Sequence, residues 1–594
     1  MADFDLIIHG GTIVDGQRTP RFAGDIGIKD GKVAAITGAG GLSKKTADKN
    51  INAQGLIVAP GFVDLHTHYD AQIFWDPYCS TGGWHGITSV VIGNCGFGLA
   101  PVTPELRERA MLALTRNEAV SYQAMKVGLP WNWETFPQYL DAIEQTPKGV
   151  NVLAYVPLTP VLTLAMGGTD AAKARRPNAG EMTQMKQIIS EAMDAGACGL
   201  SAQRLGTNSI QRDYDGTPTV TDVMHLDDFL DLCAVLKDKG RGAVQVLGLT
   251  AEETERVCEV SGASVIYNVV ALECDQHGMK THGAWESFTD WMEDANRRGL
   301  RVSAQTVITG IDYEFTFEDW NLYDYSPHWR ELCMGSVAQK IEKMKDAARR
   351  AAVRREYDEL MERTHGAAAA MNVEGRDMAA TETAATPLQQ FITVADNAVI
   401  LVECEELERY EGMTIRQIAE QENKHPCDTI LDIAVADELR TTFATPPNQY
   451  NLQEMQKLLL KPYTIPGVSD GGAHMKFAVF GRYPTEYLVN YVRDNKLVDL
   501  EYAHWHLSAV PALYAGLIDR GVIRIGAPAD IVVYDMDELG WTPAEKAYDM
   551  PAGDWRRVTH GIGYRYTIVN GQITFIDGEC TNATPGVLLR HGHA

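Results

Sequence analysis

Two histidines stand one residue apart in GFVDLHTHYD, residues 61–70, directly after an apolar run. In an extended strand the side chains at i and i+2 point to one face, so His66 and His68 would aim at a single spot. Two imidazoles on one spot suit a divalent cation, but one H-x-H pair needs further donors to make a site. The chain offers two at similar positions. Cys95 closes the apolar run TSVVIGNC, and Asp470 closes YTIPGVSD. If these runs are parallel strands of an α/β barrel, their C-terminal ends share one rim, and His66, His68, Cys95 and Asp470 converge there. Two neutral imidazoles and a carboxylate leave a coordination position open, where water loses a proton near neutral pH. The predicted chemistry is metal-assisted hydrolysis.

The elements needed to position these residues are legible in the alternation of the chain. Apolar runs at 88–95, 149–156, 197–203, 242–248, 263–272 and 300–308 are separated by amphipathic helical segments such as EMTQMKQIISEAMDAG (181–196). Repeated βα units imply a parallel sheet, and near-continuous apolar strands imply burial on both faces. With the strand before His66 and the one ending near Asp470, about eight units result, which predicts a (β/α)8 TIM-type barrel. NAVILVEC (397–404) is a candidate ninth strand. The first 58 residues and the far C-terminus share a different texture, short strands punctuated by Gly, Asp and Asn. Here GVIRIGAPADIVVYD (521–535) and YTIVNGQITFIDGE (566–579) read as hairpins. The expected organisation is therefore a composite β-sandwich from 1–58 and 519–594, and a barrel over 59–518. Residues 335–395, a charged helix followed by an Ala/Thr-rich stretch, form an expected insertion, read as a lid or an oligomer contact.

Composition excludes several classes. With 53 Lys and Arg against 79 Asp and Glu the formal charge is −26, and no basic stripe offers a surface to nucleic acid or an anionic membrane. No apolar run approaches the roughly 18 residues needed to span a bilayer, and the start MADFDLIIHG lacks the features of a secretory signal. Ten scattered cysteines without a C-x-x-C pair fit reduced thiols, and so a cytoplasmic setting.

GFVDLHTH, VVIGNCGFGLAP, GACGLSA, GVSDGG and GVIRIGAPADIVVYD resemble the amidohydrolase superfamily, and within it they are most similar to the N-acyl-D-amino acid deacylases, or D-aminoacylases. The resemblance covers nearly the whole chain apart from 335–395. It implies that His66, His68 and Asp470 bind one metal and that Cys95, in GNCGF, bridges to a second. Asp470 would also accept a proton from the attacking water. The chain departs from the pattern at the two histidines that complete the second position, where Gln245 and Asn268 stand instead. Neutral amides are poor zinc ligands, so one divalent metal per chain, zinc first, is favoured over two. The lysine that meets the substrate carboxylate is replaced by Val270.

The resulting expectation is a metal-dependent amidohydrolase acting on a small molecule with an amide or related acyl bond, in a homo-oligomer. Cyclic amides, ureas and lactones stay open as substrates, and so does a non-catalytic scaffold. Gln245 and Asn268 are expected either to satisfy one another or to bind substrate. GVSDG at 467–471 also matches the nucleophile elbow G-x-S-x-G, which makes a serine hydrolase using Ser469 a further alternative. His474 is placed either in the pocket or at a helix cap. His225 is read as a surface residue, and His277 and His282 as rim-loop residues. His504, His506, His591 and His593 need no role.

Overall fold

The computed structural model describes residues 2–209, 211–272, 284–310, 313–319, 327–370, 398–445 and 450–592. Its centre is a series of short parallel strands. Phe62–Asp64, Ile87–Ile92 and Asn151–Ala154 pair in one sheet. Val156–Pro157, Gly199–Gln203, Ala243–Leu247, Ser264–Ala271, Val302–Val307 and Thr464–Gly467 pair in that order in a second. The chain passes directly from one sheet to the other between Asn151 and Pro157, and a parallel bridge between Thr67 and Gly471 joins their other edges. Adjacent residues on these strands alternate between two apolar environments. Val63, Val91, Leu153, Ile266 and Ile465 meet in one cluster, while Phe62, Val90, Val152 and Val265 lie in the main core. Burial on both faces explains why their sequences read as unbroken apolar runs.

The intervening helices are set by local signals. In Ala179–Asp194 the Asn178 side chain accepts from Gly180 N and Glu181 N, while Glu181 Oε2 accepts from Asn178 N at 2.8 Å. Such a reciprocal box contributes about 1 kcal/mol and fixes where the helix starts. Met185, Ile189, Ala192 and Met193 then fall on one buried stripe. Among the described residues no helix is long and apolar enough to cross a membrane.

The two chain ends do form one sheet. Ile57–Pro60 pairs antiparallel with Ile531–Tyr534, which joins Phe4–Ile13 and its neighbours to the C-terminal strands. Tyr564–Val569 and Gln572–Ile576 make the expected hairpin through Asn570 and Gly571, both at positive φ as a tight two-residue turn requires. The expected hairpin over 521–535 is not one: Ile531–Tyr534 is a single strand between two long-range partners. A buried polar knot fastens this sheet to the parallel strands. Asp530 pairs with Arg520, accepts from Asn570 N at 2.7 Å and accepts from Asn151 Nδ2 at 3.1 Å.

NAVILVEC also departs from expectation. Ala398–Leu401 is a strand, but it lies outside the parallel sheets, in a small antiparallel sheet with Thr442–Ala444 and Glu314–Phe315. That sheet and the helices Pro327–Cys333, Val337–Lys345 and Pro426–Ala436 build a second apolar cluster, which reaches beyond 335–395 on both sides and packs on Phe477, Ala478 and Phe480. The Ala/Thr-rich stretch past residue 370 lies outside the described residues.

Two outcomes follow from these buried polar groups. Replacing Asp530 by Asn leaves the Arg520 guanidinium buried without its counter-charge, so chemical denaturation should show a loss of about 3–5 kcal/mol. His504 is held neutral, its pKa pushed down to about 3 by burial, while Tyr534 Oη lies 2.7 Å from Nε2. The unfolded chain gains a proton there below about pH 6.5 and the native state does not, so stability is complete above that pH and falls on acidification toward pH 3. Unfolding free energies from chemical denaturation between pH 7 and 5 should therefore fall less steeply in His504→Gln than in the wild type, by about 1 kcal/mol per pH unit.

Candidate metal centre

His66 and His68 follow the strand Phe62–Asp64 at the end where the parallel strands finish. Their backbone is pinned from three sides. Asp64 Oδ1 accepts from His66 N, Thr67 N donates to Val91 O, and His68 N donates to Gly471 O at 2.7 Å. Ser469 Oγ donates to His66 O at 3.2 Å and accepts from Gly471 N. The segment carrying Asp470 is thus laced to the segment carrying both histidines. Ser469 is buried and engaged in this lacing, which sets aside its reading as a nucleophile.

The donors meet as their spacing predicted. His66 Nε2 lies 3.2 Å and His68 Nε2 lies 3.8 Å from the same oxygen, Asp470 Oδ1. Cys95 Sγ lies 3.5 Å from His66 Nε2, and donor atoms of His66, His68 and Cys95 all fall within 4.8 Å of one another. Two donors about 2.1 Å from a tetrahedral ion are themselves about 3.4 Å apart, so this set fits a divalent cation. Both histidines are buried, whereas the Asp470 side chain is 19% exposed. Cys95, Asp470 and His474 all adopt positive φ, unusual for residues with a Cβ and typical of strained functional segments.

The electrostatics are those of a buried, cation-poor cluster. Burial pushes the His66 pKa down to about 4 and that of His68 well below its ordinary value, so both imidazoles are neutral at physiological pH. Burial, then the charges of Glu118, Asp470 and Asp222, push the Cys95 thiol well up. Burial raises Asp470 as well, and His474 partly offsets it. Asp64 and Asp70, also buried, are each raised to about 7.

Gln245 and Asn268 do not satisfy one another. Gln245 Oε1 accepts from Cys95 N at 2.7 Å, and the Asn268 amide lies against His66 Nδ1. Gln305 Oε1 lies 3.2 Å from the same ring nitrogen. An Nδ1–H donated to an amide oxygen fixes the tautomer that turns Nε2 toward Asp470. Gln305 escaped the sequence reading, although it carries the same signal as Gln245 and Asn268: a polar residue inside a buried apolar strand. Glu118 had no such signal. It caps the helix Arg107–Asn117, is fully buried, and stands 3.7 Å from His68 Nε2 and 3.4 Å from His474 Nε2. His474 is therefore a site neighbour. His225 caps Leu226–Cys233 from a half-exposed position, and His504 and His506 are buried structural residues. His277, His282 and His593 lie outside the described residues.

Residues 49–575 match the model of the amidohydrolase family, and the chain belongs to that family, whose members are metal-dependent hydrolases of carbon–nitrogen bonds other than peptide bonds. It is similar along 99% of its length to the N-acyl-D-glutamate deacylase of Alcaligenes xylosoxydans xylosoxydans, with 26% identity over 96% of that protein. The D-aminoacylase of the same organism is 24% identical over 90% of this chain and 88% of its own. Among solved structures, the N-acyl-D-glutamate deacylase of Bordetella bronchiseptica, complexed with zinc and a phosphonate mimic of the tetrahedral intermediate, superposes with a TM-score of 0.63. The two share 21% identity, and the alignment covers 99% of each chain. That likeness establishes the amidohydrolase fold, an α/β barrel carrying an additional domain.

The lacing leaves no room at Gly472, where φ is +90° and a Cβ would fall 2.6 Å from His68 O. Gly472→Ala should displace His68, lower divalent-cation affinity at least about tenfold in a chelator competition, and destabilise the fold by about 1–3 kcal/mol.

Proposed function

We propose that this chain hydrolyses the amide bond of an N-acyl amino acid-like substrate at a mononuclear centre held by His66, His68 and Asp470, with Cys95 as an adjoining donor. The observation that carries the reading is the convergence of two buried imidazole Nε2 atoms on one oxygen of Asp470. The similarity to deacylases supports the bond class, and Gln245 and Asn268 in place of further imidazoles support one metal, with zinc first. We likewise infer that the eight strand positions close into one (β/α)8 barrel over 59–518, completed by a composite β-sandwich from 1–58 and 519–594. The Thr67–Gly471 bridge supports this closure. The described cysteines are all free, which supports a cytoplasmic setting.

A bound divalent cation would supply Lewis acidity, polarising the scissile carbonyl and acidifying water. The residues do the rest. Gln305 Oε1, accepting from Nδ1–H, holds the His66 ring in orientation. Asp470 takes a proton at its carboxylate from the attacking water and returns it to the leaving nitrogen, a role that its raised pKa suits. Gln245 Nε2 and Asn268 Oδ1 are buried without a hydrogen-bond partner, and the substrate would meet these amide groups. A scaffold without catalysis would have no use for a carboxylate set against two buried imidazoles.

Elemental analysis of wild type and of the His66→Ala/His68→Ala variant, with a panel of N-acyl-D-amino acids, tests this reading. About one metal per chain, chelator-sensitive hydrolysis, and loss of both in the variant are expected. A folded wild type that takes up no divalent metal would sink the mechanism.

A further inference from the structure

Glu118 is hard to explain as a structural residue. Its side chain is 1% exposed, and Oε2 has no hydrogen-bond donor. Oε1 receives a single contact, from Gln211 Nε2 at 3.3 Å. An isolated buried carboxylate costs several kcal/mol unless a cation or a full set of donors meets it. Among the described residues no lysine or arginine is paired with it. The two groups that face Oε2 are imidazoles, His68 Nε2 at 3.7 Å and His474 Nε2 at 3.4 Å. These spacings match the others in the cluster, 3.2 Å from Asp470 Oδ1 to His66 and 3.8 Å to His68, and all are near the separation of donors that share one ion.

We propose that Glu118 is itself a ligand of the cation, presenting Oε2 beside His68, so that a carboxylate at the end of the helix Arg107–Asn117 provides the charge and donor that the amides of Gln245 and Asn268 do not. This assignment rests on the metal-dependent reading above. Two carboxylates with two imidazoles make a harder donor set than imidazole and thiolate alone, so the site should accept Mn2+ and Co2+ readily beside Zn2+. His474 acts as a positioning residue for the carboxylate, its Nε2 standing 3.4 Å from Oε2.

The test uses Co2+, whose visible absorption reports coordination number, on wild type and on Glu118→Gln, which keeps the size of the side chain and removes its charge. Chelator competition should show at least about a 100-fold loss of Co2+ affinity in the variant. Its absorption should intensify as a ligand is lost, a change that a residue acting only through His68 would not produce. An unchanged spectrum and affinity in the variant, with Co2+ bound in the wild type, would overturn the Glu118 assignment and leave the metal-dependent reading standing. No Co2+, Zn2+ or Mn2+ binding by folded wild type would overturn both. Should Glu118→Gln fail to fold, anomalous diffraction from Mn2+-loaded wild-type crystals decides. An ion about 2.0–2.2 Å from Glu118 Oε2 supports the assignment, and one beyond about 3 Å removes it.

Discussion

The site depends on the lacing of two distant segments, HTH at 66–68 and SDGG at 469–472. His68 N donates to Gly471 O, Ser469 Oγ donates to His66 O, and Thr67 bridges Gly471. These are backbone-level contacts, so they fix the donor atoms more tightly than side-chain packing alone could. They also demand glycine at 472, where any side chain would strike the His68 carbonyl. Burying His66, His68 and Asp470 disfavours the charged form of each, as the direction of all three pKa displacements records. Geometry imposes the cluster, and its chemistry then calls for a metal.

Much of this was legible in the residue pattern, and for identifiable reasons. The parallel strands announce themselves because each is buried on both faces, and the ends of such strands are where donors collect. His66, His68, Cys95 and Asp470 could therefore be named and grouped. Ile57–Pro60 and the C-terminal strands also showed their kinship through turn chemistry. The strand Ala398–Leu401 misled because an apolar run of that length pairs equally well in a small antiparallel sheet. The 521–535 stretch misled because two apolar segments around a Gly-Ala-Pro turn look like a hairpin, while both edges of Ile531–Tyr534 are occupied by strands remote in sequence.

What the pattern could not give was the company around the donors. Gln305 and Glu118 act through contacts between elements far apart in the chain, and neither sits in a motif. The amides at 245, 268 and 305 form a layer behind the clustered side chains, each engaged with His66 or with the Cys95 backbone. The docking of the second apolar cluster on Phe477 and Phe480 likewise places an entire subsidiary body directly after His474.

The pairing of Ile57–Pro60 with Ile531–Tyr534 bears on how the chain is made. On the ribosome, the early strand must wait for a partner that begins roughly 470 residues later (531 minus 60). At 5–20 residues per second that is on the order of half a minute or more. During this interval Ile57–Pro60 presents a bare apolar edge, the kind of surface that recruits other chains. The nascent protein is thus most exposed to misassembly and to chaperone capture while its N-terminal strands stand complete but unpartnered. Truncation near the C-terminus would make that transient state permanent.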